Sequence, residues 1–428
     1  MHDELELKGY WWLPGNQNVK IAGTLAYVQD NDIVLEIIGS FYPEQEFARM
    51  LCDGKSEKII IGITSDAQKV TLYNCFAYGS RNCYCDFSIV RYKCQFIIIG
   101  KHLSDFRQKC FFKANIFIPE LSHWSPPSML HMSIHKDVLN YSFKCVENIV
   151  NSVPIDDNTS LTIKNGVIFH SDPLSPEIEQ CTFLEISKVC DASVDDFYSN
   201  IFLFEQFLSL ATLHTVLSSQ IELYDKSEYQ EDSSGENIYK PINILSIKSK
   251  TDELHKLKPC DFLFNIDQIS NYYPMVIKKW YMNNKDIAPI RAHLIDSIVK
   301  RGVFSSNDFL IVVQAIEGFC TRFRKEATLS EMTNNLIAEF SGIDRLRKDA
   351  INVEQVVDSR HYYSHFMNKN RKPNALDGWE LFNLMIKLRK LLVCCVLDFT
   401  GFDKTEINNV LNRCDNDLFE LVKIPEQK

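Results

Sequence analysis

The chain has 428 residues, and its composition of 45% hydrophobic and 24% charged residues is close to that of globular proteins, which excludes general disorder. This length is enough for two or three domains with real hydrophobic cores. The formal net charge of -10 excludes a polycation that coats nucleic acid through its overall field, so any nucleic-acid chemistry must come from a local site.

The N-terminal part is dominated by short segments rich in β-branched and aromatic residues, with turn residues between them. We predict strands at 19–28, 33–39, 58–64, 69–75, 85–100, 160–164, 167–170 and 181–188. The tripeptide Lys164-Asn165-Gly166 predicts a hairpin turn between two of these strands. Many short strands at this spacing predict an antiparallel, sandwich-like or barrel-like β domain.

Four cysteines, Cys75, Cys83, Cys85 and Cys94, lie close together within these strands. A structural zinc site normally uses paired Cys-x-x-Cys knuckles, whereas this cluster offers only a Cys-x-Cys pair. We therefore favour buried thiols that pack as small hydrophobic residues, and we keep zinc as the less favoured alternative.

The spacing of the hydrophobic residues changes at residues 195–215, where the positions of Phe and Leu predict an amphipathic helix. Two more strands are predicted at 216–224 and 242–247, and we expect them to return to the N-terminal sheet. The acidic segment between them, 225–237, predicts a mobile loop. Residues 1–260 are thus predicted to form one β-rich domain that includes the 195–215 helix.

From residue 261 to residue 428 the periodicity indicates helices alone, at 266–283, 287–300, 306–325, 329–340, 353–367, 376–399 and 404–413. Gly302, Gly342, Pro373 and Gly401 stand between them as stop signals. Helices of this length with short connections predict an antiparallel bundle. The predicted fold class is therefore α+β and multidomain, with a β-rich domain followed by an all-α helical domain.

Targeting and membrane signals point to the cytoplasm. The first residues are acidic and no apolar signal-peptide core follows them. The longest apolar runs, such as 391–397, are far shorter than the roughly 20 residues that span a bilayer. Fourteen cysteines spread over the whole chain are expected to stay reduced in that compartment.

Common catalytic motifs are absent from the sequence, including the P-loop, the Rossmann glycine pattern, His-Glu-x-x-His and the α/β-hydrolase nucleophile elbow. The informative segment is 357–366, on a predicted helix, which contains Arg360, His361 and His365. His361 and His365 are four residues apart and share a helix face, whereas Arg360 and His365 diverge by roughly 140° on an ideal helix. The segment thus places one permanent cation beside two imidazoles.

This set of side chains suits cleavage of an RNA phosphodiester. A guanidinium binds phosphate oxygens in a bidentate manner, and imidazole transfers protons near neutral pH. The RNA 2′-hydroxyl is an internal nucleophile, so the reaction needs no metal, and DNA lacks that hydroxyl. We predict neither a cofactor nor a metal.

Other interpretations of the segment stay open. An Arg followed five residues later by a His occurs by chance in many chains, as a surface cation and a core histidine. The pair His361 and His365 could share a zinc ion, although no third ligand lies nearby in the sequence.

The segment resembles the R-x4-6-H signature of HEPN domains (higher eukaryotes and prokaryotes, nucleotide-binding), in which a polar residue often follows the Arg. The resemblance implies an all-α bundle, a metal-independent ribonuclease and a homodimer in which two motif helices share one cleft. It implies that Arg360 binds the scissile phosphate, that His365 transfers protons and that His361 supports both.

The likeness extends to the ApeA type of antiphage protein. The N-terminal segments 9–14, 21–25 and 33–37 look like the β-rich domain that precedes HEPN in that family. Segment 312–319 looks like the helix before the motif helix, and its Glu317 would orient Arg360 or a histidine; a simple bundle salt bridge is an equally good interpretation. The family implies a bacterial abortive-infection enzyme that cuts host RNA, with tRNA an expected target, after a phage-derived trigger reaches the N-terminal domain.

Basic residues near the motif would support RNA binding. Lys369, Arg371 and Lys372 follow it directly, and Arg291 and Arg324 lie on other helices of the same half. Such cations position a phosphate backbone without reading its sequence, although each alone is more often part of a solvated helix face. The rival functions are a catalytically silent HEPN module that dimerises or binds a partner, and a nucleotide-binding partner of a transferase.

Overall fold

The computed structural model describes residues 4–28, 32–43, 56–82, 88–126, 130–135, 138–143, 148–170, 177–246, 262–299, 304–324 and 328–414. These residues form a β-rich N-terminal part followed by a helical part, as the sequence predicts. Within the described residues the strands are β1 (Glu4–Trp12), β2 (Ile21–Val28), β3 (Ile33–Ile38), β4 (Ser56–Thr64), β5 (Lys69–Asn82), β6 (Ser88–Cys94), β7 (Phe96–Ile99), β8 (Phe111–Phe117), β9 (Leu130–His135), β10 (Val138–Phe143), β11 (Asn148–Pro154), β12 (Thr159–His170), β13 (Glu177–Ala192), β14 (Gln220–Asp225), β15 (Tyr229–Glu231), β16 (Asn237–Tyr239) and β17 (Ile242–Ser246).

Six of these strands close into an antiparallel barrel in the order β5-β4-β1-β2-β3-β6, because β6 pairs back onto β5. Inward-facing side chains alternate along the strands and form a core of their own that includes Trp11, Leu35 and Leu72. The Trp11 indole lies across Gly62, where an added Cβ would meet the ring at 2.3 Å. The barrel-like part of the fold prediction is therefore confirmed, and Gly62 is the residue that makes room for its largest core side chain.

The sheet continues beyond the barrel, since β7 pairs with the other end of β5 and leads through β17, β14, β8, β13 and β12 to β11. Strands β14 and β17 thus return to the N-terminal sheet, as predicted. The predicted strand 85–100 is two strands, β6 and β7. Both pair with β5, but on the other side β6 pairs with β3 whereas β7 pairs with β17. Residues 83–87 lie outside the described part of the chain.

The hairpin turn predicted at Lys164-Asn165-Gly166 is wrong, because these residues lie inside the continuous strand β12. Strand β12 is paired with β13 along the whole length of β12, including Lys164 with Phe183 and Gly166 with Cys181. An added Cβ at Gly166 would stand 2.9 Å from the Cys181 Sγ. The glycine therefore leaves room for the Cys181 side chain of the neighbouring strand. The local Asn-Gly signal is overridden by this long pairing.

The predicted mobile loop at 225–237 also differs, since it contains β15, which pairs with β16 in a two-stranded hairpin. The Asp232 carboxylate accepts hydrogen bonds from the backbone N–H groups of Ser234 and Glu236, each at 2.8 Å. Hydrogen bonds of this kind, from backbone N–H groups to an aspartate side chain, stabilise a tight turn. The amino-acid composition of the segment predicted only a loop.

Helices account for the C-terminal part and for two elements of the N-terminal part. Within the described residues they are α1 (Pro119–Trp124), α2 (Val194–Thr212), α3 (Ile266–Ile269), α4 (Tyr273–Met282), α5 (Asn284–Val299), α6 (Ser306–Phe323), α7 (Leu329–Glu339), α8 (Asp344–Lys348), α9 (Val353–His365), α10 (Gly378–Thr400) and α11 (Lys404–Arg413). A 3-10 turn at Lys369–Arg371 follows α9. The predicted helix 266–283 is split into α3 and α4, with a proline in the first turn of α4, and α8 was not predicted.

Helix α2 packs against the helical part rather than against the sheet alone. The Trp280 indole N–H donates to the Leu203 carbonyl at 2.8 Å, and the Tyr281 hydroxyl donates to the Asn200 carbonyl at 2.7 Å. One hydrophobic core runs from the β8–β14 side of the sheet into the bundle. The domain boundary at residues 260/261 stays a prediction. In the described residues the last strand ends at Ser246 and the next helix begins at Ile266.

Among the described helices, none combines the length and the apolar character that crossing a lipid bilayer requires.

Candidate active site

Helix α9 carries the motif. It begins after Asn352, whose side chain accepts hydrogen bonds from the N–H groups of Glu354 and Gln355 and so caps the first turn. It ends at His365, and Phe366 leaves the helix in the left-handed conformation with φ 50°. The C-terminal end of α9, with its histidines, therefore lies at the surface instead of running on into the bundle.

Arg360 and His365 are in direct contact, although they diverge on an ideal helix. The Nη1 of Arg360 lies 2.5 Å from the Nε2 of His365. A guanidinium can only donate, so His365 Nε2 is the acceptor in this contact. The long Arg360 side chain runs along α9 to reach the ring at the end of the helix.

Glu317, on α6, stands behind this pair. Its Oε1 lies 3.4 Å from the Nη2 of Arg360, and both side chains are 25% exposed. One end of the guanidinium thus contacts a carboxylate and the other contacts an imidazole. The sequence prediction that Glu317 lies near Arg360 agrees with this geometry, while its functional role stays a prediction.

His361 lies next to His365, with ring centroids 5.7 Å apart. Its Nδ1 is buried and has no hydrogen-bond partner in the part of the chain that the structure describes. Burial lowers the pKa of His361 below its ordinary value, and the nearby charges of Lys372 and Arg360 lower it further. Both effects favour the neutral form of the His361 imidazole.

The basic segment after the motif is held by acidic side chains. Lys369 pairs with Asp377 at 2.7 Å, and Lys372 pairs with Asp358 of α9 at 3.2 Å. Arg371 is exposed and, within the described residues, has no ion-pair partner. Of the three predicted RNA-binding cations, Arg371 is the one whose charge is not already neutralised by a neighbouring carboxylate.

Sequence reasoning missed the contacts that fix this segment to α9. The backbone N–H of Leu376 donates to the buried Ser359 hydroxyl at 3.0 Å, and the Tyr363 hydroxyl donates to the Leu376 carbonyl at 3.1 Å. Asp358 also accepts from the backbone N–H of Asn374 at 3.2 Å. Ser359 and Tyr363 are four residues apart, which was the available signal that they share one face.

Arg291 and Arg324, which were predicted to belong to a wider basic surface, make contacts within the protein instead. Arg291 is buried, with its guanidinium over the Trp280 ring and its Nε donating to the Gln206 side chain at 2.9 Å. Arg324 pairs with Glu339 at 2.9 Å. Arg291 is therefore not available to RNA, and the charge of Arg324 is compensated.

The cysteine cluster divides between the described and undescribed parts of the chain. Cys75 and Cys94 are buried in the barrel core, and burial raises the pKa of Cys75 well above its ordinary value. Cys83 and Cys85 lie outside the described residues. Within the described residues no group of His, Cys, Asp and Glu has the arrangement of a metal site. The buried-thiol interpretation fits the two cysteines that can be placed.

Comparison with protein families matches both parts of the chain. Residues 6–280 match the family model "ApeA N-terminal domain 1", and residues 310–406 match "Apea-like HEPN". No curated protein and no solved structure matches the chain. The HEPN match includes Glu317, Arg360, His361 and His365. The first match alone spans more than half of the sequence, and the chain therefore belongs to the ApeA family of HEPN-based antiphage defence proteins.

Proposed function

We propose that this protein is a metal-independent endoribonuclease of abortive infection that cuts host RNA, with tRNA as an expected target, in the bacterial cytoplasm. HEPN domains are generally nucleases. The observation that carries the proposal is the 2.5 Å contact between Arg360 and His365 at an exposed helix end, with Glu317 behind it. A permanent cation that touches an imidazole matches what phosphodiester cleavage needs.

The proposed reaction is attack by the RNA 2′-oxygen on the adjacent phosphorus. A P–O2′ bond forms and the P–O5′ bond breaks, which leaves a 2′,3′-cyclic phosphate and a 5′-hydroxyl. Arg360 would bind the non-bridging oxygens and stabilise the charge that develops on them. Glu317 would hold the guanidinium in place. When Arg360 turns to the phosphate, His365 Nε2 becomes free to take the 2′-hydroxyl proton.

The leaving 5′-oxygen needs a proton. We assign its donation to the imidazolium that His365 becomes when it takes the 2′-hydroxyl proton, or to the same histidine of a second copy, and His361 would support the His365 ring beside it. HEPN domains commonly dimerise and bind RNA. A homodimer in which two α9 helices face each other would also bring the same residues of a second copy into one cleft. We assign Lys369, Arg371 and Lys372 to the phosphate backbone and a phage-derived trigger to the N-terminal domain.

Substitution of the motif tests the proposal. Arg360→Ala and His365→Ala should each lower the rate of RNA cleavage by about 10²- to 10⁴-fold, because each removes a group that acts in the transition state. The measurement is sequencing of RNA ends after induced expression in bacterial cells, followed by cleavage assays of purified protein in EDTA. Expected products carry 2′,3′-cyclic phosphate ends.

Arg413→Ala, an exposed substitution of the same kind at the end of α11, is the matched control and should cut like wild type. Identical RNA ends from wild type and His365→Ala would contradict the proposal and favour a silent binding module. Loss of cleavage in EDTA would instead favour a metal shared by His361 and His365. A nucleotidyltransferase encoded in the neighbouring gene would favour the nucleotide-binding alternative.

A further inference from the structure

Phe366 follows the motif directly and is 91% exposed, the highest value among the large hydrophobic residues whose exposure the structure describes. Its backbone has φ 50° and ψ 39°, a left-handed conformation that is rare for a bulky residue. Leu213 occupies the same position at the end of α2, with φ 57°, but is only 2% exposed. Burial offsets the backbone strain at Leu213. Nothing of that kind offsets it at Phe366, so its ring is not there for the stability of this fold.

The ring is carried on a fixed support. His365 belongs to α9, and the chain after Phe366 is fastened back to α9 by the contacts of Asp358, Ser359 and Tyr363. Adjacent Cα atoms are about 3.8 Å apart, so the Phe366 backbone lies directly beside the last residue of the motif. An aromatic ring has only two side-chain torsions to lose when it binds a flat partner, because the backbone that carries it is already fixed.

The surroundings of the ring favour a nucleic acid over a protein as its partner. The exposed residues that follow are Met367, Asn368, Lys369, Asn370 and Arg371, so one apolar side chain is followed by four polar or charged ones, and Arg371 is not neutralised by a carboxylate among the described residues. The centres of protein interfaces are poor in lysine and charge, whereas sites for unpaired nucleic acid combine cations with exposed aromatic rings. Bases within a duplex are already stacked on their neighbours, so only an unpaired base offers a free face.

We propose that the Phe366 ring is a stacking platform for an unpaired nucleobase next to the phosphate bound by Arg360, which makes loops and single strands the preferred RNA. This inference rests on the proposed function and adds a substrate class to it. Phe366 would act as a substrate-binding residue, and Arg371 would contact a flanking phosphate.

The test measures binding of a fluorescent single-stranded 2′-deoxy oligonucleotide to the full chain at fixed salt, since this probe stacks but lacks the 2′-hydroxyl. Phe366→Ala should weaken binding about tenfold or more, the size expected for one lost base–aromatic stack, and Phe366→Trp should restore it. Phe202→Ala, at a phenylalanine of α2 that is 57% exposed, is the matched control and should bind like wild type. A duplex of equal length should not distinguish wild type from Phe366→Ala.

Unchanged single-strand affinity in Phe366→Ala would overturn the inference. So would a loss of affinity that accompanies dissociation of a dimer in sedimentation velocity, because Phe366 would then belong to a contact between two copies. Cleavage assays separate the two proposals. If wild type cuts RNA and Phe366→Ala cuts single strands equally well, only the stacking platform fails. If wild type neither binds nor cuts RNA, the ribonuclease function fails.

Discussion

Helices α9 and α10 follow each other in the chain but use burial in opposite ways. Within α10, 16 of 23 residues are buried, including the run from Leu388 to Leu397. Within α9, the buried residues are Val356 and Ser359 alone. Helix α10 therefore contributes hydrophobic stabilisation, and helix α9 exposes polar chemistry. Hydrophobic stability and the candidate chemistry are thus assigned to separate neighbouring helices, and substitutions in the α10 core should lower stability without changing cleavage per folded molecule.

The largest expected effect on stability in this comparison comes from α10. Leu388→Ala removes a fully buried side chain and should lower the free energy of unfolding by about 2–5 kcal/mol, because the packed core relaxes only partly around the cavity. Chemical denaturation measures this loss. Cleavage per folded molecule should stay unchanged at low temperature. A reduced catalytic rate in fully folded Leu388→Ala would break the separation between the two helices.

A smaller effect is expected from the contacts that join α9 to the segment after it. Ser359→Ala removes the acceptor of the Leu376 N–H and should cost about 1 kcal/mol of stability. Hydrogen exchange should show faster exchange of the Leu376 amide. Ser364→Ala, on the same helix and without a hydrogen bond among those described, is the control. Equal exchange in both variants would mean that Ser359 does not hold this segment.

The smallest expected effect is a pKa shift. The pKa of His361 should lie below about 6.5, and Lys372→Gln should raise it, because the change removes a nearby cation and leaves Asp358 without its ion-pair partner. Titration of the ring by NMR measures both values. With the folded pKa below the unfolded one, the unfolded state binds more protons near pH 6, so this contribution to stability is present above about pH 6.5 and is lost as pH falls. A wild-type midpoint above 6.5 would contradict the burial argument.

The helical part could be predicted closely from the sequence because long periodic segments with glycine and proline stops define it locally. The barrel could be predicted as a class, but not its closure, since β5 pairs with β4, β6 and β7 and no local pattern encodes three partners. The predicted turn at 164–166 is wrong because this segment pairs with a strand that lies further along the chain. Strand pairing over long distances outweighs a local turn preference.

The candidate site was only partly predictable. The spacing of Arg360 and His365 was available, but ideal helix geometry argues against their contact, which depends on a long side chain reaching the end of α9. The contacts of Ser359 and Tyr363 with Leu376 join residues across a loop, and the burial of Arg291 needs α2 in place. None of these follows from periodicity, because each depends on how separate elements pack.

Closure of the barrel has a consequence for aggregation. Because β6 pairs back onto β5, the 13-stranded sheet has one open edge among its described strands, at β11. That edge has two irregularities in its register, ends at Pro154, and is contacted by α4. Bulges, prolines and covering helices are the devices by which proteins prevent strands of other molecules from adding to an edge. A large sheet built in this way resists edge-to-edge association while the protein accumulates.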